Sequence, residues 1–166
     1  GWWFSCALSS SPLSIGAHRR CRGYTASMPA LHRAVASLRI VGDALDPADI
    51  TRRLGGEPTR AWKQGDELRR RPDLPSRPAR HGQWRREASQ TQPEDLGAQL
   101  REVLRGLTPD LEVWRTLSRS YRVDLFCGWF MKEGNEGVEI SPEVLQLLAE
   151  RHIALNLDIY ASDDDA

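Results

Sequence analysis

Apolar and polar residues alternate from about Ala34: Leu38 and Ile40 point one way, Ser37, Arg39 and Val41 the other. A period of two predicts a strand, which Gly42 ends. Asp46-Pro47-Ala48-Asp49 then supplies an N-cap, a proline at the first helical position and a first-turn acid. The short helix it opens turns Ile50 and Leu54 inward and stops at Gly55-Gly56. Residues 57–66 read as extended around Trp62, and residues 67–81, rich in arginine and holding Pro72, Pro75 and Pro78, as a mobile loop. Gly82 to Ala88 reads as a strand carrying Trp84, so the two tryptophan segments form a long-looped hairpin.

Period 3.6 follows. Leu96, Leu100, Val103, Leu104 and Leu107 make one stripe in a helix starting at Pro93. Thr108-Pro109-Asp110 caps a second helix with Leu111, Trp114 and Leu117. Tyr121 to Met131 is the most apolar strand, with Val123, Leu125, Cys127 and Trp129 on one face. Its other face carries Asp124, Phe126, Gly128 and Phe130, and apolar residues on both faces suit a central strand. A turn at 134–137 leads to a short strand at 138–140. Ser141-Pro142-Glu143 caps a last helix burying Val144, Leu145 and Leu148. The final strand, Ile153 to Ala161, sets Leu155, Leu157 and Ile159 against Asn156, Asp158 and Tyr160. The order β-α-β-β-α-α-β-β-α-β fits an α+β fold: an antiparallel or mixed sheet with helices packed on one face. A ferredoxin-like split βαβ core is the preferred layout.

The chain has 166 residues, which fits one domain, placed at residues 30–161. Residues 1–29 read as a leader outside the fold, rich in serine and arginine and without acids, with Met28 as a natural start. Residues 162–166 are an acidic tail. Net charge is zero, so no global bias points to nucleic acid or membrane. Locally, residues 60–86 carry nine basic side chains against three acids, and residues 124–166 carry ten acids against Lys132 and Arg151. Three cysteines (Cys6, Cys21, Cys127) without CxxC spacing argue against a disulfide framework and against zinc. The expected compartment is the reducing cytoplasm.

Several segments together carry a resemblance. They are Leu38-Arg39-Ile40-Val41-Gly42 with Leu45-Asp46-Pro47, then Leu54-Gly55-Gly56-Glu57-Pro58-Thr59 leading to Trp62-Lys63-Gln64-Gly65-Asp66. Val123 to Phe130 and the close Leu157-Asp158-Ile159-Tyr160 complete the set. Over residues 34–161 the chain resembles the mostly bacterial family of domain of unknown function 4279. The resemblance implies a small cytosolic protein with no established activity and no catalytic residues to carry over.

The residues themselves offer no catalytic constellation. Cys127 shares a strand face with Leu125 and Trp129, which suits a buried, inert thiol better than a nucleophile. His18, His32, His81 and His152 show no ligand spacing, and no glycine motif cradles a nucleotide, so neither metal nor cofactor is expected. The arginine loop (Arg69, Arg70, Arg71, Arg77, Arg80), followed by Arg85 and Arg86, could grip phosphates with Trp84 stacking a base. Glu67 and Asp73 interrupt that run, and a solvated loop is the plainer reading.

The sheet face away from the helices is the surface to suspect. It would display Arg39, Asp124, Phe126, Phe130, Asn156, Asp158 and Tyr160, with Trp62 and Trp84 either sealing or gating it. The leading expectation is a non-enzymatic protein-binding module, an immunity-type inhibitor being one version. The alternative is a small-ligand binder or enzyme using Asp124 and Asp158, with Lys63 or Asp66, in a pocket under the Trp62–Trp84 hairpin. Nucleic-acid binding through the arginine loop is the third reading. An unknown protein partner is expected and a membrane is not.

Overall fold

The computed structural model describes residues 31–161 except Arg70 and Pro72. The expected leader over 1–29 and the acidic tail over 162–166 lie outside the described residues. Strand β1 (Arg33–Gly42) feeds helix α1 (Pro47–Leu54). The Asp46 side chain accepts the Ala48 N–H at the helix start, and Gly55, at φ 77°, takes the left-handed conformation that ends it. Strand β2 (Arg60–Trp62), the short pair β3 (Glu67–Leu68) and β4 (Arg77–Pro78), and strand β5 (Gly82–Glu87) follow. Helices α2 (Leu96–Leu104) and α3 (Leu111–Ser120) precede strand β6 (Arg122–Phe130). Helix α4 (Pro142–Glu150), capped by Ser141, and strand β7 (Ala154–Tyr160) complete the order.

Five strands form one mixed sheet in the order β2-β5-β1-β6-β7, and β3-β4 form a second, two-stranded one. Pairs β2–β5, β5–β1 and β1–β6 are antiparallel, whereas β6–β7 is parallel. The α+β fold with a mixed sheet agrees with the hydrophobic pattern. The ferredoxin-like layout does not: β6 and β7, joined through α4, pair directly with no strand between them.

Register decides the faces. Ile40 lies opposite both Trp84 and Val123, Leu38 opposite Leu125, and Ala36 opposite Cys127. All of these are buried, and they meet Ile50, Leu54, Leu100, Val103, Trp114 and Leu117 from the helices in one core. The core also fixes Gln99, which is fully buried on the same face of α2 as Leu96, Leu100 and Val103. Its side-chain amide donates to the carbonyls of Ala34 and Ser89, both at 3.0 Å, and so ties α2 to β1.

Four local expectations are corrected. The stretch 67–81 is not a featureless loop: β3 pairs with β4, Ala79 donates to the Asp66 carbonyl at 2.8 Å, and Gly65 donates to the Ala79 carbonyl at 2.9 Å. Two-residue strands are too short to show a period, and Pro78 fits there because the outer strand of a pair needs no N–H on its free side. Residues 138–140 form no strand; the nearest backbone link is Leu31 N–H to the Gly137 carbonyl at 3.3 Å. Helix α2 starts at Leu96 rather than Pro93 because Asp95 accepts the Ala98 N–H. Leu145 is 50% exposed instead of buried, since α4 meets the sheet through Val144 and Leu148.

Candidate functional site

All four helices lie against the face carrying Ile40 and Leu125. The opposite face therefore shows the alternate residues of the five strands. Row by row it carries Trp62, Gln83 and Val41, then Arg60, Arg85, Arg39 and Asp124, then Glu87, Ser37, Phe126 and Asn156. The last row runs Arg33, Phe130, Tyr160. Of the residues suspected from sequence, Arg39, Asp124, Phe126, Phe130, Asp158 and Tyr160 do share this face.

Their chemistry is already committed. Arg39 grips Asp124 with two bonds, Nε to Oδ1 at 2.6 Å and Nη2 to Oδ2 at 3.0 Å. Arg122 Nε adds a third at 2.8 Å. The Asp124 side chain is 0% exposed beneath them. The Arg39 guanidinium also sits 4.3 Å from the Phe126 ring centre, and that of Arg33 sits 3.6 Å from the Phe130 ring. Phe130 stacks on Tyr160 at 4.7 Å, and the Tyr160 hydroxyl donates to Asp158 at 2.7 Å, which raises the phenol's pKa. Gly128 makes room for this corner, since a Cβ there would stand 3.1 Å from Val35 and 3.5 Å from the Phe130 ring.

A carboxylate pair at Asp124 and Asp158 does not assemble. Asp124 lies opposite Ala154, whereas Asp158 lies opposite Gly128, four residues further along β6. At about 3.3 Å per residue the two are roughly 13 Å apart along the strands. The guanidinium groups of Arg39 and Arg122 cover the Asp124 carboxylate. Lys63 and Asp66 do not join the two carboxylates either. Asp66 Oδ2 accepts the Lys63 N–H at 2.8 Å in its own turn, and Lys63 Nζ reaches Asp46 at 3.3 Å.

Trp84 is corrected outright. It is fully buried on the helix side, with its indole N–H on Thr51 Oγ1 at 3.1 Å, so it neither gates the open face nor stacks a base. Trp62 lies on the other face, because its partner Gln83 neighbours Trp84 and successive strand residues alternate. Arg85 and Arg86 likewise point to opposite faces, and Arg85 pairs with Glu87 at 3.1 Å. Arg85 and Arg86 therefore do not share one phosphate-binding track.

A cleft of about 650 Å³ opens beside Trp62. Its floor is Val41, Trp62 and Gln83 of the sheet; its roof comes from Leu68, Leu74 and Pro75 around the β3–β4 pair. Arg77, Arg80 and His81 stand along it. It is not the pocket expected from sequence: of Trp62, Trp84, Asp124, Asp158, Lys63 and Asp66, Trp62 alone lines it.

Sequence reasoning missed one further surface. Six large apolar side chains are exposed among the described residues, and four of them, Leu145, Leu157, Ile159 and Tyr160, belong to β7 and to α4 packed against it. Strand β7 is the sheet's edge. Tyr160 turns its carbonyl inward, where it accepts the Met131 N–H at 3.0 Å. In a parallel pair, alternate residues bond to the same neighbour. The N–H and C=O groups of Leu155, Leu157 and Ile159 therefore point away from the sheet.

Cys127 is fully buried, and burial pushes its thiol up to about 12. Thiolate chemistry is closed to it in the folded chain. Iodoacetamide at about pH 8 is expected to leave Cys127 unmodified in the native protein and to alkylate it after denaturation. Mass mapping of its peptide checks this. Among the described residues, no three His, Cys, Asp or Glu side chains cluster to hold a metal. No helix among them is long and apolar enough to cross a membrane.

No curated protein and no solved structure matches the chain. A family model does, over residues 31–162, nearly the span of the fold just described. The chain belongs to the family described as Domain of unknown function (DUF4279).

Proposed function

We propose that the chain is a protein-binding module that receives an extended segment of its partner along the free edge of β7. The observation that carries this reading is an edge strand, β7, with Leu157 and Ile159 exposed on its helix side beside Leu145 of α4, Tyr160 exposed on its other side, and outward backbone groups that have no partner strand among the described residues. Clustered exposed apolar side chains mark interaction surfaces, and a sheet edge offers a ready hydrogen-bonding template. Strand addition uses both at once: main-chain bonds supply affinity and alternate side-chain contacts supply specificity.

The same edge shapes the partner. Leu155, Leu157 and Ile159 call for apolar residues at every second position of the incoming strand. Asp158 and the Phe130–Tyr160 stack call for polar or cationic groups on its other face. An immunity-type inhibitor is one form such a module takes, with the acids of the C-terminal third drawing in a basic target. The alternatives are weaker on geometry. Asp124 is paired with two arginines, which gives no support to a carboxylate-pair enzyme, and buried Trp84 gives none to a stacking platform for a nucleic acid.

Replacing Leu157 and Ile159 together by lysine tests the reading. The two side chains are 41% and 56% exposed, so the melting temperature is expected to move by only a few degrees. Affinity capture with the wild-type chain as bait is expected to retain a protein that the L157K/I159K bait loses. Equal recovery by both baits would count against the β7 edge.

A further inference from the structure

The cleft beside Trp62 is a separate site from the β7 edge, at the opposite end of the sheet. We propose that it binds a small amphipathic organic anion: an acid group carried on a flat, apolar body.

The volume, about 650 Å³, is that of a site for a small organic molecule. Its lining is mostly apolar, with Trp62, Leu68 and Leu74 among the residues that form it. The indole is held in place, because its N–H donates to the His81 carbonyl at 3.1 Å. The wall is held as well. Gln64 Nε2 donates to the Arg80 carbonyl at 3.1 Å, and Ala79 exchanges backbone bonds with Gly65 and Asp66. A cleft whose walls are tied in advance loses less freedom on binding.

Charge sets the ligand's sign. Among the described residues no carboxylate lines the cleft, whereas Arg77 and Arg80 do. Of the acids around it, Asp43 pairs with His81 on the cleft's wall at 2.5 Å, Asp46 with Lys63 at 3.3 Å, and Asp66 accepts in its own turn, while Glu67, opposite Pro78, and Asp73, beside Leu74, are not lining residues. Neither Arg77 nor Arg80 has a carboxylate partner among the described residues. Two guanidinium groups beside a mostly apolar cleft favour a carboxylate, sulfonate or phosphate through charge-assisted hydrogen bonds. Gln83 adds a neutral donor and acceptor on the floor. An apolar cation would meet like charge there, and a bare inorganic anion would leave the apolar volume empty.

The test titrates the full chain with the fluorescent anion 8-anilinonaphthalene-1-sulfonate and with its neutral analogue N-phenyl-1-naphthylamine. Indole N–H resonances of the labelled protein are followed alongside. Saturable one-to-one binding of the anion is expected, with the Trp62 indole signal shifting and those of Trp84 and Trp114 still. The neutral analogue is expected to bind at least about tenfold more weakly, and an R77Q/R80Q variant to lose at least about tenfold in affinity for the anion. Both arginines are exposed, so that variant is expected to keep the wild-type melt. The L157K/I159K variant is expected to bind the anion unchanged, which separates this site from the β7 edge. The proposal is overturned by equal affinity for both probes, by anion binding that survives R77Q/R80Q, by shifts confined to residues near β7, or by no saturable binding.

Discussion

Trp84→Ala is expected to destabilise the fold by about 4 kcal/mol, the largest loss among single substitutions here. Trp84 is fully buried at the meeting of β5, β1 and α1, opposite Ile40 and Ala61. Removing it takes away a large apolar contact area and leaves a cavity that fixed strands cannot close. It also strips Thr51 Oγ1 of the indole donor that ties α1 to the sheet. Trp84→Phe keeps most of the volume and loses that bond, so a smaller cost, about 1–2 kcal/mol, is expected. Urea unfolding followed by circular dichroism measures both. A loss under about 1 kcal/mol for Trp84→Ala would mean the side chain is not in the core.

Asp124→Ala comes next, at about 3 kcal/mol. The carboxylate is completely buried and receives three hydrogen bonds from two guanidinium groups. Taking it away leaves Arg39, whose side chain is only 21% exposed, with a charge and no counter-ion beneath it. The Phe126 ring alone does not replace that partner. Arg122→Ala is expected to cost under about 1 kcal/mol, because the Arg122 side chain is 65% exposed and its pairing is screened. The double variant R39A/D124A is expected to be less destabilised than the two single losses added together, as for any coupled pair. Additive losses would show that the two residues do not act as one unit.

Much of this was legible in the residues. Alternation in β1, β6 and β7 assigned every side chain to its correct face, because a half-buried strand leaves a period of two. Asp46, Asp110 and Ser141 marked three helix starts, since each side chain satisfies a first-turn N–H. Arg39 and Asp124 were placed on one surface before the structure set them at 2.6 Å.

What stayed hidden depends on strand order, which no local pattern encodes. Leu157 and Ile159 read as core residues from their spacing, and β6 packs its equivalents, Cys127 and Trp129, inside. Only the placing of β7 at the sheet edge exposes them. Trp62 and Trp84 looked like a matched pair, but which face each took depended on pairing with β1 and on where β2 began. Register sets Trp84 beside Ile40 and Trp62 beside Gln83, on opposite sides. Gln99 was hidden for another reason: its spacing from Leu96 and Val103 puts it on the buried face, but its partners, the Ala34 and Ser89 carbonyls, are set by how α2 docks on β1 and not by the pattern within the helix. The cleft beside Trp62 is not the pocket expected around Asp124 and Asp158, and its roof comes from the segment of β3 and β4, which are too short to signal themselves.

Amide hydrogen exchange on the complex captured by the wild-type chain tests the β7 edge most directly. The N–H groups of Leu155, Leu157 and Ile159 point away from the sheet in the free chain and are expected to exchange fast there. In the complex they are expected to gain protection together, while the inward-facing amides of Asn156 and Asp158 change little. Protection arising elsewhere while Leu155, Leu157 and Ile159 keep exchanging as in the free chain would contradict strand addition at β7.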